Sequence, residues 1–373
     1  MKALSVYFRD YIRILRRIYW PRKYDTPLQL ILFITSKCNA RCRHCFYWKS
    51  LEDNDDLAFP EIEKVSRSLG NIFSLSISGG EPFLSPLLAE TCLLFERNNA
   101  VRRIQIPTNG LLPDCIAQVT EDILQSCTCE LTIALSIDGL EKTNDYLRGR
   151  AGNFRKLRET YIKLVSLKQR YPRLRLVTNT VISAQNVNEI EPLFALLRRE
   201  WSELDSVNWD WLRGSSPSPE VRLPAVSECR ALKETLLKTK KYFLRGKTGR
   251  LGTILEMAIR DYLFDVNMET LERKKQVIPC LSDRTYMVIY ASGDCSFCEM
   301  LSSFGNIREK SLPDLLSGPE AERLRKTIRG KKCFCTHGCN QPYNVIFNPR
   351  NYPGILKRLG RHYGTNLSRS AKG

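Results

Sequence analysis

Three cysteines in one short loop are the residues of this chain best suited to hold a metal group. Cys38, Cys42 and Cys45 follow directly after the first predicted strand with C-x3-C-x2-C spacing. Such a loop can wrap an iron–sulfur cubane, and three thiolates leave one of its irons open to another ligand. Zinc is the alternative, although a closed structural zinc site needs four Cys or His ligands and the one nearby addition is His44.

Short glycine-rich and polar motifs stand where the predicted strands end. The second strand runs into Ser78-Gly79-Gly80-Glu81-Pro82. Two glycines let the backbone approach a ligand closely, and a carboxylate can accept hydrogen bonds from an ammonium group. Catalytic groups of parallel barrels sit at the carboxyl ends of the strands. The later strands end in Thr108-Asn109-Gly110, Ser136-Ile137-Asp138-Gly139 and Thr178-Asn179-Thr180, and Tyr146-Leu147-Arg148-Gly149 lies between the last two.

Taken in order, these motifs resemble those of the radical SAM enzymes. The hallmark of that family is C-x3-C-x2-C followed by an aromatic residue, here Phe46. The resemblance implies that the three cysteines are catalytic, that they hold a [4Fe–4S] cluster and that S-adenosyl-L-methionine binds at its open iron. It implies that Glu81 receives the methionine amino group and that Arg148 can hold the methionine carboxylate. The cofactor-binding set implied is Phe46, Gly79, Gly80, Glu81, Asn109, Ser136, Asp138, Arg148 and Asn179, with Ser136 and Asp138 near the ribose.

The last hundred residues carry a second group of cysteines. Cys280, the G-x4-C segment ending at Cys298 and the knot of Cys333, Cys335 and Cys339 resemble the auxiliary-cluster domains of the same family, SPASM and the shortened twitch domain. We expect one auxiliary [4Fe–4S] cluster on Cys280, Cys298 and two of the three late cysteines. A second cluster stays open because Cys295 lies close to Cys298, and a structural zinc knot using His337 is the alternative.

The pattern of apolar runs predicts an α/β fold. Six short strands alternate with helices, which is typical of βαβ units and favours a partial (β/α)6 TIM barrel over a closed one, with a small C-terminal cysteine-rich SPASM/twitch-like domain. The predicted strands are Leu28–Thr35, Phe73–Ser78, Arg102–Pro107, Leu131–Ile137, Leu174–Val181 and Ser206–Trp211. The expected segments are a basic amphipathic N-terminal helix (1–27), the barrel (28–214), a linker with bridging helices (215–279), the auxiliary-cluster domain (280–345) and a basic C-terminal tail (346–373).

The charge of the chain is concentrated at its two ends. The formal net charge is +18, of which residues 1–50 contribute +9 and residues 321–373 contribute +11, so residues 51–320 are close to neutral at −2. A uniformly cationic nucleic-acid binder is therefore disfavoured. The amphipathic pattern of Leu4–Trp20 indicates a helix that docks on the barrel or, as the second interpretation, lies on anionic lipid. We find no signal peptide and no transmembrane run, so the expected location is cytoplasmic, with peripheral contact at the inner membrane face as an option.

The resemblance implies the reaction. The reduced cluster cleaves S-adenosylmethionine to methionine and a 5′-deoxyadenosyl radical, which abstracts hydrogen from an unidentified substrate, and an auxiliary cluster accepts the substrate electron. The expected substrates are a peptide or protein, or a small molecule such as an alcohol or sugar. The expected reductant is a protein such as flavodoxin or ferredoxin. RNA or lipid modification is an alternative, and a non-catalytic iron–sulfur or zinc scaffold is a weaker one.

Overall fold

One open sheet of nine strands organises the chain. The computed structural model describes residues 12, 14–20, 26–244 and 249–370. Strands β1 to β6 are all parallel and run in the spatial order β6-β5-β4-β3-β2-β1, after which β7, β8 and β9 continue the sheet beyond β1. The strands are β1 (Gln29–Phe33), β2 (Ser74–Ser78), β3 (Arg103–Thr108), β4 (Glu130–Ser136), β5 (Leu174–Ile182), β6 (Ser206–Trp211), β7 (Tyr286–Ile289), β8 (Asp294–Ser296) and β9 (Gly305–Asn306).

All six predicted barrel strands are present within two residues of their expected ends. They are short apolar or β-branched runs, and the parallel arrangement leaves one face of the sheet covered by helices. The residues between sheet and helices form one large hydrophobic core, which includes Leu30, Ile77, Ile104 and Ile133. The predicted α/β partial barrel is therefore confirmed.

Helices follow the strands on the outer face of the sheet and bridge the barrel to the C-terminal region. The helices are α1 (Phe59–Ser68), α2 (Leu88–Asn99), α3 (Pro113–Ser126), α4 (Glu141–Arg148), α5 (Asn153–Arg170), α6 (Ile190–Glu200), α7 (Val226–Ala231), α8 (Lys233–Leu244), α9 (Arg250–Arg273), α10 (Ser282–Thr285), α11 (Leu312–Ser317), α12 (Pro319–Arg329), α13 (Gln341–Ile346) and α14 (Tyr352–Ser370).

The cysteine-rich region is joined to the barrel by its own first strand. Strand β7 pairs parallel to β1, with Gln29 opposite Tyr286, and β8 then pairs antiparallel to β7. Strand β1 therefore lies between β2 of the barrel and β7. Because the sheet is continuous, the cysteine-rich region has a fixed position relative to the loop that follows β1.

The segment expected as a linker lies against the loop that follows β1. We call residues 36–50 the cluster loop and residues 214–222 the strap. The indole nitrogen of Trp48 donates to the carbonyl of Ser215 at 3.2 Å, and the Ser216 hydroxyl donates to the carbonyl of Arg43. The Arg43 guanidinium pairs with Glu220 at 3.2 Å. These contacts hold the strap on the outer side of the cluster loop.

Both basic ends contain helices that pack on the rest of the protein. Of the predicted N-terminal helix, the residues before Ile12 lie outside the described part. Ile14 and Ile18 are buried against Leu281 and Phe347. Arg17 is buried and donates to the carbonyl of Pro27 at 3.1 Å. The described part of this helix therefore docks on the protein.

The expected C-terminal tail contains α14, which packs on α9 through a network of partly buried charges. Arg358 pairs with Asp261 at 3.6 Å and with Asp265, and Lys233 contacts the same two carboxylates at 2.6 and 2.7 Å. His362 contacts Asp261 at 3.2 Å. The carboxylates of Asp261 and Asp265 are thus each paired with Lys233 of α8 and Arg358 of α14.

Removing Arg358 from this network should destabilise the fold. We expect Arg358→Ala to lower the free energy of unfolding by about 3 kcal/mol, because it leaves two partly buried carboxylates short of a cation. Urea unfolding followed by circular dichroism measures the change. Lys357→Ala is the matched control, since Lys357 is exposed on the same helix. Equal stability of the two variants would contradict the role given to Arg358.

Candidate functional site

One cavity at the carboxyl ends of the strands collects nearly all of the predicted site residues. Its volume is about 260 Å³. Eleven of the twelve residues predicted for the barrel site line it, and the exception is Asp138. The lining includes Cys38, Cys42, Cys45, Phe46, Gly79, Gly80, Glu81, Asn109, Ser136, Arg148 and Asn179.

The three thiols of the cluster loop suit an iron–sulfur group. Burial raises the pKa of Cys38 to about 12, and Cys42 and Cys45 raise it as well. Burial likewise raises the pKa of Cys45 to about 11, with Cys42 adding to the shift. Three close, buried thiols are poor thiolates unless a metal group compensates their charge. Their common position on the cavity wall leaves the side facing the cavity open for a further ligand.

The spacing of these thiols favours a cluster over a single zinc ion. Ligand sulfurs on one zinc lie about 2.3 Å from the metal and hence about 4 Å from one another. Within the described part of the chain, only Glu299, His337 and Cys339 bring three such ligand atoms within 4.8 Å of one another. The sulfurs of Cys38, Cys42 and Cys45 therefore do not all lie that close together. His44, the candidate fourth zinc ligand, instead places Nε2 3.3 Å from Oδ2 of Asp138.

The glycines of the second strand end serve the packing of the cluster loop. A Cβ at Gly80 would lie 2.2 Å from the carbonyl oxygen of Lys37, and a Cβ at Gly79 would lie 2.4 Å from that of Thr35. Gly79 also has a φ of +143°, which side chains other than glycine rarely adopt. The space beside these two glycines is thus already filled by the protein's own backbone, at Thr35 and Lys37.

Glu81 links the ends of the second and third strands. Its Oε2 accepts from the backbone N–H of Asn109 at 2.7 Å, and Asn109 donates to Asn39 of the cluster loop at 2.7 Å. The Glu81 side chain is fully buried, and burial raises its pKa to about 7. Glu81 therefore positions the Thr-Asn-Gly turn against the cluster loop while one face of the residue lines the cavity.

Asp138 and Arg148 form a buried ion pair behind the cavity. Oδ2 of Asp138 lies 2.7 Å from Nε of Arg148, and Oδ1 accepts from the backbone N–H of Val181 at 2.8 Å. The Asp138 carboxylate does not line the cavity, and its role near a ribose stays a prediction. Arg148 also reaches Sγ of Cys42 at 3.8 Å, which places a positive charge beside the cluster loop.

A buried lysine that was not singled out from the sequence supports Asn179. Nδ2 of Asn208 lies 3.3 Å from Oδ1 of Asn179, and Oδ1 of Asn208 accepts from Nζ of Lys240 at 2.9 Å. Lys240 also donates to Ser206. Burial, with a smaller contribution from Arg260, holds the pKa of Lys240 well below its ordinary value. The Lys240 amine thus orients the side-chain amides of Asn208 and Asn179 at the open edge of the barrel.

The depressed pKa of Lys240 predicts a pH-dependent stability. The unfolded chain binds a proton at this amine up to about pH 10.5, whereas the folded chain releases it at a lower pH, so stability should rise with pH by up to about 1.4 kcal/mol per unit between the folded and unfolded pKa values. We expect Lys240→Met to lose this rise. Urea unfolding of both proteins at pH 7, 8.5 and 10 measures it, with the exposed neighbour Lys238→Met as control. Parallel pH profiles of wild type and Lys240→Met would contradict the assignment.

Residues from beyond the barrel complete the cavity wall. Arg213, after β6, lies over the ring of Phe46 at 4.8 Å and pairs with Glu299 at 3.2 Å. Burial alone would raise the pKa of Glu299, but Arg213 and His337 together hold it below its ordinary value. Glu299, which follows Cys298 directly, was not predicted from the sequence, because nothing in the chain order places it opposite Phe46.

Four of the five predicted auxiliary cysteines form one group. Burial raises the pKa of Cys335 to about 11, and Cys280 and Cys333 contribute to the same shift. Burial also raises the pKa of Cys298, with further contributions from Cys335 and Cys280. Such mutual effects require thiols that lie close together.

Cys339 and Cys295 stand apart from that group. The Cys339 side chain contacts Tyr286 and His337 and lines the barrel cavity. Cys295 is fully buried in the hydrophobic core, with its sulfur 3.7 Å from the carbonyl of Gly293. Neither therefore shares the position of the four grouped thiols.

Comparisons with known proteins agree with this geometry. A sequence profile described as the radical SAM superfamily matches residues 32–197, and one described as an iron–sulfur cluster-binding domain, SPASM, matches residues 280–340. The antilisterial bacteriocin subtilosin biosynthesis protein AlbA of Bacillus subtilis is 25% identical over 201 residues, which cover 52% of this chain and 42% of that protein. The chain thus spans less than half the length of this relative.

Two solved structures share the fold. Streptococcus suis SuiB bound to precursor peptide SuiA superimposes with a TM-score of 0.58 at 18% identity, covering 81% of this chain and 67% of that one. The structure of anSMEcpe with bound AdoMet and Cp18Cys peptide superimposes with a TM-score of 0.56 at 16% identity, covering 93% and 99%. The two matched profiles show that the chain belongs to the radical SAM superfamily and carries a SPASM iron–sulfur cluster-binding domain, and the two solved structures share its fold.

Proposed function

We propose that this enzyme modifies a peptide or protein by abstracting a hydrogen atom from one of its residues. The observation that carries the proposal is a single cavity lined by the three cluster-loop thiols, the strand-end motifs and Glu299 of the SPASM region. When bound, the cluster on Cys38, Cys42 and Cys45 supplies the electron that cleaves S-adenosylmethionine to the hydrogen-abstracting 5′-deoxyadenosyl radical. A reacting substrate atom must therefore reach this cavity.

The residues around the cavity have to exclude water and hold the cofactor in place. A reactive radical survives only in a dry, closed site. Arg213 and Glu299 close the side of Phe46 and are linked to each other by an ion pair at 3.2 Å. Arg148, paired with Asp138, keeps a guanidinium at the cavity wall, where it can bind the methionine carboxylate. Gly79 and Gly80 keep the second strand end close to the cluster loop.

We propose that Cys280, Cys298, Cys333 and Cys335 hold one auxiliary cluster, which accepts the electron left on the substrate. Their thiols raise one another's pKa values, whereas Cys339 faces the barrel cavity. Four thiolates are the usual complement of a four-iron cluster. An auxiliary group beside the cavity wall suits a net oxidation, such as the formation of a crosslink or the oxidation of a side chain.

The peptide class is supported by proteins of similar sequence and fold. AlbA is described as a bacteriocin biosynthesis protein, and the SuiB and anSMEcpe structures contain peptides. Oxidation of a small alcohol or sugar is the outcome that would replace this proposal. A substrate screen distinguishes the two, since only one class should increase the yield of 5′-deoxyadenosine.

The test is an anaerobic assay of the reconstituted enzyme. We expect dithionite and S-adenosylmethionine to give 5′-deoxyadenosine, and we expect a peptide encoded beside the enzyme's gene to increase the yield and to lose mass as hydrogen is removed. No 5′-deoxyadenosine from protein with a full iron content would refute the enzyme function. Stimulation by sugars or alcohols but by no peptide would refute the peptide class.

Exposed apolar side chains near the N-terminus support a proposal for where the enzyme is located. No helix in the described residues is long and apolar enough to cross a bilayer. We propose a cytoplasmic enzyme whose exposed N-terminal side chains, Ile12 and Trp20, touch an anionic membrane surface. Flotation with anionic and neutral liposomes tests this, and equal flotation of wild type and Ile12→Ser/Trp20→Ala would refute the contact.

A further inference from the structure

A second cavity adjoins the catalytic cavity on the side of the SPASM region. It has a volume of about 310 Å³ and lies between residues 36–56 and residues 290–303. We call it the side pocket. Phe46 and Glu299 line both the side pocket and the catalytic cavity. A molecule that reacts in the catalytic cavity can therefore extend past these two residues into the side pocket.

The side pocket is acidic. Its lining contains Lys49 and five carboxylates, which belong to Asp53, Asp55, Asp56, Asp294 and Glu299. Two of these carboxylates are paired with arginine. Asp55 pairs with Arg308 at 2.7 Å. Glu299 pairs with Arg213 at 3.2 Å. The other three carboxylates face one lining cation, Lys49, so acidic groups are in excess.

The hydrogen bonds of the other carboxylates leave their charges uncompensated. Asp56 accepts from the Thr35 hydroxyl at 2.6 Å and from the backbone N–H of Ser36 at 2.7 Å. Asp294 likewise accepts from a hydroxyl and a side-chain amide, at 2.8 and 3.2 Å. All four donors are neutral, and Asp53 is exposed to solvent. The three carboxylates thus outnumber Lys49 by two, which gives the pocket a negative potential.

A buried hydroxyl in the side pocket points to a hydrogen-bonding ligand. Ser36 lines the pocket and is 2% exposed. Within the described part of the chain, its Oγ has no hydrogen-bond partner. Buried polar groups are nearly always paired, because an unpaired one loses its bonds to water without replacement. A guanidinium or ammonium group that enters the pocket would supply N–H donors to this oxygen.

Aromatic rings form another wall of the side pocket. The rings of Tyr47 and Tyr290 are nearly parallel, at 7°, with centroids 6.0 Å apart, and both residues line the pocket. Burial raises the pKa of Tyr47, and Asp56 and Asp53 raise it further. The acidic charges therefore lie close to the aromatic wall. Carboxylates together with aromatic faces are typical of sites that bind cations.

We propose that the side pocket binds a cationic side chain, of lysine or arginine, in the substrate peptide. The proposal rests on the proposed function and adds a requirement on the substrate. The cationic residue lies close in sequence to the residue that loses hydrogen, because the two cavities share Phe46 and Glu299. Pockets for whole ligands span about 300–1,000 Å³, so a volume at the lower end suits one side chain.

The first experiment measures binding without turnover. The probes are two fluorescein-labelled decapeptides that carry arginine or its neutral isostere citrulline at one central position and are otherwise the same. Anisotropy is recorded at low salt with the full-length, reconstituted protein and S-adenosylmethionine, without reductant. We expect the arginine peptide to bind about fivefold more tightly. The chain has a formal net charge of +18, so a nonspecific effect of charge would favour the citrulline peptide instead.

Variants of the pocket test which groups create the preference for arginine. Asp53 is exposed, so Asp53→Lys leaves the core intact, and we expect it to reduce the preference to less than about twofold. Asp122→Lys is the matched control and should keep the preference, because Asp122 is exposed on α3, away from the pocket lining. Ser36→Ala should weaken binding of the arginine peptide by about threefold and leave the citrulline peptide unchanged.

The binding result judges the pocket independently of the chemistry. Equal binding of the two peptides by wild type, no binding of either, or an equal loss of preference in Asp53→Lys and Asp122→Lys would overturn the proposal. Displacement of the arginine peptide by spermidine at a lower concentration than by acetyl-arginine amide would assign the pocket to a free polyamine and overturn it as well. If wild type with dithionite and S-adenosylmethionine yields no 5′-deoxyadenosine, the proposed function fails, whereas the measured preference still decides whether the pocket binds a cationic side chain.

Discussion

Replacing the three cluster-loop cysteines together should abolish the cleavage of S-adenosylmethionine while leaving the SPASM site loaded. The Cys38→Ala/Cys42→Ala/Cys45→Ala variant removes every thiol from the wall of the barrel cavity on the side of the cluster loop. We expect 5′-deoxyadenosine at the background level and about four irons per chain, against about eight in wild type with one auxiliary cluster. Anaerobic iron and sulfide analysis and chromatography of the nucleoside measure both quantities.

A cysteine outside both sites provides the control for that result. Cys115 is exposed on α3, and its sulfur lies 3.5 Å from the carbonyl oxygen of Phe83. Cys115→Ala should keep both the iron content and the activity of wild type. Residual cleavage in the triple variant, or loss of all iron from it, would show that the three thiols are not an independent cluster site.

The second large effect is a difference in iron content between serine variants of two cysteines that lie four residues apart, Cys335 and Cys339. We expect Cys335→Ser to lose the auxiliary iron, to about four irons per chain, because Cys335 lies among Cys280, Cys298 and Cys333. We expect Cys339→Ser to retain about eight, because its side chain faces the barrel cavity beside Tyr286 and His337. Iron analysis and low-temperature EPR of the reduced proteins measure the difference.

The two serine variants serve as controls for each other, since both make the same small change of a sulfur to an oxygen. A Cys339→Ser variant that loses the auxiliary iron would move Cys339 into the ligand set and refute the grouping. Both variants are expected to keep the cluster-loop iron, because Cys38, Cys42 and Cys45 are unchanged in both.

The sequence alone predicted the barrel part of this site because its motifs are local. Each motif follows a strand whose apolar run is visible in the sequence, and parallel strands bring their carboxyl ends to one edge. Phe46, Glu81, Asn109, Ser136 and Asn179 could therefore be assigned to one cavity before any coordinates were known. Two details were not visible at this level: Asp138 is buried behind Arg148, and the strap at residues 214–222 is held against the cluster loop.

The other features of the site depend on contacts between residues that are far apart in the chain. Whether Cys339 belongs with Cys335 or with the cavity depends on how Glu299 and His337 meet, and no spacing rule encodes that. The support of Asn179 by Lys240 depends on α8 packing against the edge strand β6. The sequence by itself thus determined the fold class, the cofactor loop and the family, because those depend on local periodicity and motif spacing. The tertiary structure decided which cysteines meet, what closes the cavity and where a partner can approach, because these follow from side-chain packing over long sequence separations.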